Sequence, residues 1–330
     1  LPTPTRNRRG LHLLLATAIV PAALLAGGCG SDDETTTAGA PAPSASDFPQ
    51  PDGRSVEEIF SSATPSSDIV LAPTGQVFNE GENRFGFGVF NAGREPITDA
   101  EVALYVGAPN EPAKGPYPAR IEDMETEPAF AAKTTTQDPD AAKIVYVSDI
   151  ELDKPGRTDV VGLVREGDNY SSARIAPSIK VGAYPDVPVA GDKAPVIDTP
   201  TADEVGDLSE IDTRDPHDTM HEDNFADVVG EKPVVLVFAT PLLCQSRVCG
   251  PVVDIAEQLK SEYGDDVAFI HQEIYEDNDI NKGLRDQVNA YGLPTEPWAY
   301  VIDSDGNVST ALEGAYGVDE LQQAVDEVTS

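Results

Sequence analysis

Residues 233–238 (Pro-Val-Val-Leu-Val-Phe) form an apolar run with no polar interruption. A run of that kind predicts a strand buried on both faces. Val252, Ile255, Ala256 and Leu259 follow at i, i+3, i+4 and i+7, the spacing of one helix face. A buried strand that leads straight into an amphipathic helix is the start of a layered α/β unit. Cys244 and Cys249 sit at the junction, just ahead of a helix that opens Gly250-Pro251. The positive end of a helix lowers a thiol's pKa, and a buried strand beside it holds the group rigidly, so this is a favourable place for thiol–disulfide chemistry.

The α/β pattern continues to the end of the chain. Residues 267–274 predict a second strand, and residues 280–291 a second helix with Leu284 and Val288 turned inward. Residues 298–302 and 308–312 are strand-like and flank Asp303-Ser304-Asp305-Gly306-Asn307, a hairpin turn. Val318, Leu321, Val325 and Val328 stripe a final helix. The predicted order over residues 201–330 is β-α-β-α-β-β-α, with the first two strands parallel and the last pair antiparallel.

Upstream the period is two. Phe85, Phe87 and Val89 alternate with glycines, and Val102, Leu104 and Val106 alternate again after the turn Asn91-Ala92-Gly93. Residues 68–184 therefore predict an antiparallel β-sandwich of Ig-like type. Within it, residues 111–140 lack apolar periodicity and predict an irregular loop. No nucleophile–base pair, metal-ligand cluster or phosphate loop stands out in this region. Residues 185–200 are punctuated by proline and predict a linker. Residues 29–67 are rich in Ser, Thr, Ala, Pro, Asp and Gly, the composition of a disordered tether, with a short helical turn around Val56 to Phe60.

The first 28 residues have their own logic. Arg6, Arg8 and Arg9 precede an apolar run over residues 11–25, which is short for a bilayer span and has the form of a signal-peptide core. Ala26-Gly27-Gly28 then lead into Cys29. This resembles a bacterial lipoprotein signal, which implies lipidation of Cys29, an anchor in the cell membrane and an extracytoplasmic location. Ala26 stands where that motif usually has Leu. An exported chain meets conditions in which disulfides persist, and with Cys29 acylated the other two cysteines are an even pair. The net charge of −36, from 58 acidic and 22 basic residues, argues against nucleic-acid partners.

Residues 190–330 resemble the thioredoxin-like superfamily. The match rests on the cysteine pair between strand and helix, on Cys249-Gly250-Pro251-Val252, similar to Cys-Gly-Pro-Cys with its last cysteine lost, and on a proline ahead of the third strand. Gly191-Asp192-Lys193-Ala194-Pro195 also resembles the opening of peroxiredoxin and thiol-oxidoreductase domains. The resemblance implies a thiol–disulfide oxidoreductase without cofactor, acting on extracytoplasmic protein substrates or a redox partner. It also implies a cis-proline opposite the cysteines, preceded by a residue whose backbone pairs with substrate. The string Gly-x-Pro-Thr favours Pro294, but strand register, the stiffer constraint, favours Pro297, with Glu296 as that residue.

The cysteine spacing departs from the family, with four intervening residues in place of two. Five helical steps rise about 7.5 Å, too far for a disulfide, so if the pair bonds Cys244 lies in a loop and Cys249 near the helix N-cap. On that basis Cys249, with Arg247 as a local cation, is expected to attack and Cys244 to resolve, although the distance of Cys244 from Phe238 favours the reverse.

Two other readings compete. An anchored binding or assembly protein would use the pair as a structural clip, for which so short a loop gives only about 2 kcal/mol. A copper chaperone of thioredoxin fold would draw on Cys244, Cys249 and His271. A peroxidase motif is absent, because Pro241 precedes Cys244 too closely. His217 and His221 have helical metal-pair spacing but no evident third ligand, and Asp303 to Asn307 lacks the terminal Glu of a calcium loop.

Overall fold

A computed structural model describes Gly39 and residues 41–330. The signal-like segment and Cys29 lie outside the described residues.

Residues 41–67 depart from the expected tether. Ser55 caps α1 (Val56–Ser62) with a capping box, its side chain accepting from the Glu58 N–H while the Glu58 carboxylate accepts from the Ser55 N–H. Phe48, Val56 and Ile59 are buried against Ala103, Tyr105, Val161 and Leu163. Three apolar anchors hold a segment whose average composition is that of a linker.

Next come β1 (Thr64–Pro65), β2 (Ile69–Pro73), β3 (Gly81–Asn91), β4 (Glu101–Gly107), β5 (Lys114–Pro118), β6 (Arg120–Asp123), the single turn α2 (Lys133–Thr136), β7 (Ile144–Leu152), β8 (Gly156–Glu166) and β9 (Asn169–Val181). They form two sheets, ordered β1-β9-β8-β4-β5 and β2-β3-β7-β6. All pairs are antiparallel except the two-residue β1–β9 pair. Phe85, Phe87 and Val89 from one sheet meet Val102, Leu104 and Val160 from the other in a shared core. Alternate residues of β4 face the opposite way and are covered by the α1 segment, so Val102 to Val106 is apolar throughout. Residues 111–140 are more ordered than expected, since β5, β6 and α2 lie within them.

The expected linker over residues 185–200 is part of the next core. Val187, Ala194 and Ile197 are buried with Leu236, Phe238 and Tyr300. After α3 (Phe225–Val228) come β10 (Val234–Phe238), α4 (Cys249–Tyr263), β11 (Ala268–Gln272), α5 (Asp286–Tyr291), β12 (Trp298–Ile302), β13 (Val308–Glu313) and α6 (Val318–Thr329). The sheet order is β11-β10-β12-β13, with β10 parallel to β11 and the other pairs antiparallel. Val235 and Val237 point to the layer of α4 and α6, while Val234, Leu236 and Phe238 point to the opposite layer. α5 is shorter than expected. Val288 is buried, but Leu284 is exposed and precedes the helix, because residues 276–285 wind through turns with positive φ at Asp277, Asn278 and Gly283. Among the described residues no helix is long and apolar enough to cross a membrane.

Every residue of α4 from Cys249 to Ala256 is buried, Asp254 included. The β-region supplies part of the cover. Met124, Val145 and Val147 pack into the same core as Val252, Val253 and Ala256. Gln258 Oε1 accepts from the Glu127 N–H at 2.8 Å, and Asp254 Oδ2 from the Ala132 N–H at 3.1 Å. Asp254 Oδ1 accepts from Arg214 Nε at 2.8 Å, and that guanidinium also donates to Pro216 O and Phe130 O. Burial lifts the Asp254 carboxyl above its ordinary range, against the pull of Thr135, Arg214 and the Ala132 N–H. At the far end of this contact Glu320 takes two bonds from Arg84, at 2.6 and 2.7 Å, and one from Arg120 at 3.0 Å. Burial works to raise Glu320, but the two arginines outweigh it and hold the carboxyl low.

Removing one partner of a buried pair leaves the other charge uncompensated. Asp254→Ala should therefore cost about 3–5 kcal/mol in denaturant unfolding. Glu111→Ala, which breaks an exposed pair with Lys154, should change stability little. Equal effects from the two variants would refute this account of the interface.

Candidate functional site

β10 ends at Phe238, and the buried residues Ala239 and Thr240 carry the chain off the sheet. The Cys244 N–H donates back to Thr240 O at 3.1 Å, and Arg247, with φ of 64°, turns the loop toward α4. Val248 is the N-cap, with no side-chain cap bond, and Cys249 is the first helical residue. Cys244 and Cys249 are disulfide-bonded with Cα atoms 6.0 Å apart, inside the normal range. One cysteine is thus in a loop and the other at the helix head.

Their exposures differ. Cys249 is 0 % exposed and packs into the core beneath α4, whereas Cys244 is half-buried with Sγ 3.1 Å from Ser246 Oγ. This runs against the expectation that Cys249 attacks, because a fully buried sulfur cannot meet a protein substrate. Arg247, expected as a cation for Cys249, pairs with Asp138 of the β-region at 2.8 Å. Cys244 opens instead onto a cleft of about 590 Å³ between the loop around residues 133–141 and the loop around residues 241–251. Lys133, Asp138, Leu242 and Arg247 line it, and Leu242 is 67 % exposed there.

The Glu296–Pro297 peptide is cis and leads directly into β12. The cis-proline ahead of β12 is therefore Pro297 rather than Pro294. Glu296, expected to offer only its backbone, brings its carboxylate to the disulfide, since its oxygen and the two sulfurs all lie within 4.8 Å of one another. Burial pushes the Glu296 pKa up to about 7; the Tyr275 hydroxyl, 3.4 Å away, opposes the rise and the Glu273 charge adds to it. The available signal was an acidic residue directly before the proline expected opposite the cysteines.

The copper set does not assemble. His271 stands in a separate buried group with Asp212, Asp218 and His221, apart from the group of Cys244, Cys249 and Glu296. His271 Nδ1 is 2.7 Å from Asp218 Oδ2, and Nε2 is 3.1 Å from Ala239 O. Burial works to lower the His271 pKa, but Asp218, with Asp212 and Glu273 behind it, carries it up to about 10. His217 and His221 lie in an irregular segment and not on one helix. The Asp303 carboxylate accepts the N–H groups of Asp305 and Asn307, which closes the expected hairpin turn.

No family profile matches the chain, and no curated protein matches it. Among solved structures the chain is similar to a protein assigned as thiol:disulfide interchange protein DsbE from Chlorobium tepidum. The identity is 18%, over 43% of this chain and 99% of that one, with a TM-score of 0.33. A thiol:disulfide interchange protein of the thioredoxin family from Chlorobium tepidum TLS is similar at 15% identity, over 42% and 97% of the two chains, with a TM-score of 0.30. The ZirS C-terminal domain aligns at 15% identity, over 48% and 86%, with a TM-score of 0.17. By the order and direction of its own four strands, with a cis peptide at Glu296–Pro297 just ahead of β12, the C-terminal region has a thioredoxin-like fold.

Proposed function

We propose that this protein is an exported, lipid-anchored thiol–disulfide oxidoreductase that exchanges electrons with extracytoplasmic protein thiols and disulfides through Cys244 and Cys249. The observation that carries the reading is a half-buried sulfur on an open cleft, bonded to a fully buried sulfur at the head of a fifteen-residue helix. The lipoprotein-like segment ending at Cys29 supports the anchor and the location. The two-sheet region, taken as an Ig-like sandwich, is the scaffold that covers α4 and walls the cleft.

In the oxidised protein a substrate thiolate attacks Cys244 Sγ. The Cys244–Cys249 bond breaks, and Cys249 leaves as a thiolate at the positive end of α4. A second substrate thiolate then attacks the substrate sulfur of the mixed disulfide and releases Cys244. The substrate gains a disulfide, and the protein gains two electrons as a dithiol. Running in reverse, the Cys244 thiolate attacks a substrate disulfide and Cys249 resolves the mixed disulfide. Cys244 thus attacks and Cys249 resolves, the reverse of the sequence expectation. Glu296 is placed to take the proton from Cys249 as it resolves and to return it when Cys249 leaves. Pro297 shapes the groove beside the sulfurs.

Cys249→Ser should accumulate mixed disulfides through Cys244, visible on non-reducing gels, whereas Cys244→Ser should trap few. Trapping by Cys244→Ser alone would reverse the roles, and trapping by neither would leave a structural clip on an anchored scaffold.

The second expectation concerns pH. A carboxyl with a pKa of about 7 accepts a proton only once ionised, so resolution should speed up as pH rises through about 7 and then level off. Glu296→Gln should slow resolution about 100-fold and abolish that inflection. Stopped-flow measurement of mixed-disulfide decay reads both, and an inflection that survives in the variant assigns the proton transfer elsewhere.

A further inference from the structure

We propose that Asp212, Asp218, His221 and His271 form a binding site for one divalent transition-metal ion of the zinc type, behind the redox loop and distinct from it. All four side chains are buried, and one ligand atom from each lies within 4.8 Å of the others.

The separations fit a first coordination sphere. His221 Nε2 is 3.3 Å from Asp218 Oδ1 and 3.7 Å from Asp212 Oδ2. His271 Nδ1 is 2.7 Å from Asp218 and 3.9 Å from Asp212. Four ligands around a tetrahedral zinc ion, each at about 2.0–2.1 Å, stand about 3.3 Å apart. The observed values, from 2.7 to 3.9 Å, bracket that edge.

Hydrogen-bond roles point the same way. Ala239 O can only accept, so His271 Nε2 carries a proton and donates to it. In the neutral ring Nδ1 then holds a lone pair, facing a carboxylate oxygen at 2.7 Å. Two acceptors at that distance require a cation between them, either a proton or a metal ion. A ring N–H fixed on a backbone carbonyl is also how metal-binding histidines are commonly oriented.

His221 is the independent observation. It is 2 % exposed, and neither Nδ1 nor Nε2 has a hydrogen-bond partner. A buried imidazole with both nitrogens unbonded is costly, and its Nε2 is aimed between the two aspartates. A metal ion there would use that lone pair and offset the two carboxylate charges.

The backbone holds the carboxylates in place. Asp212 accepts from the N–H groups of Arg214 and Asp218 at 2.7 and 2.8 Å, and Asp218 from the Met220 N–H at 2.9 Å. The His271 N–H donates to Met220 O at 3.0 Å, which fastens the segment over residues 211–221 along the edge of β11. His217, half-exposed with Nδ1 3.4 Å from Asp212 Oδ2, marks the solvent side.

The test uses the full exported chain, stripped with chelator and titrated with Co2+ and Zn2+. One equivalent should bind, with the visible absorption of four-coordinate Co2+, and Zn2+ should displace it. The Cys244→Ser/Cys249→Ser double variant should bind the same equivalent, while His221→Gln and Asp212→Asn should weaken binding at least about tenfold. Should those two variants fail to fold, the wild-type Tm decides, because it must rise with the logarithm of Zn2+ concentration. No bound metal and no Tm shift would mean that a protonated His271 closes the cluster. Binding lost in the double cysteine variant would place the ion at the disulfide. Either result overturns the assignment.

Discussion

The burial of α4 is the constraint on which the rest of the molecule depends. Its first eight residues are buried, although Asp254 is among them. A helix covered on all sides needs a partner for every polar group. Two of the partners come from the β-region, the Ala132 N–H for Asp254 and the Glu127 N–H for Gln258, and Arg214 supplies another for Asp254. Gly250 belongs to the same contact, since a Cβ there would lie 2.7 Å from Thr135 Oγ1. The two regions are therefore built into one another, and the expected linker over residues 185–200 separates nothing.

Much of the C-terminal fold was legible because its signals are local and strong. The apolar run before Phe238, the stripe on α4 and the hairpin turn after Ile302 each follow from spacing alone. The burial of Cys249 was not anticipated although its signal was present. Cys249, Val252, Val253 and Ala256 stand at i, i+3, i+4 and i+7, so extending the stripe back by one turn turns Cys249 into the core. A thiol at a helix N-terminus gains from the helix field, but packing decides whether a substrate can reach it. At α5 the apolar spacing of Leu284 and Val288 misled for the opposite reason, because backbone turns at Asp277, Asn278 and Gly283 delay the helix until after Leu284.

The less legible parts depend on distant partners. Residues 41–67 carry only a few apolar anchors among small and polar residues, and composition averages them away. The clue lay in β4, where five consecutive apolar residues require cover on both faces. The Asp212–His271 cluster was harder still. It forms only because the segment over residues 211–221 returns to the edge of β11 through the Met220–His271 backbone bond, 51 positions apart in sequence as the numbering shows.

That segment also links the proposed redox pair to the proposed metal site. Thr213 Oγ1 accepts from the Leu242 N–H at 3.1 Å and donates to Glu273 at 2.6 Å, and Ala239 O accepts from His271. The loop bearing Cys244 thus rests on the same scaffold that fixes His271. On the other side it is held by the β-region, through the Ala142 N–H on Arg247 O and the Arg247–Asp138 pair. Neither support involves the sulfurs, so breaking the disulfide leaves both in place. In the proposed exchange, the bonding between two sulfur atoms would change while the loop that presents Cys244 keeps both supports, which would leave Cys249 where it can re-form the bond.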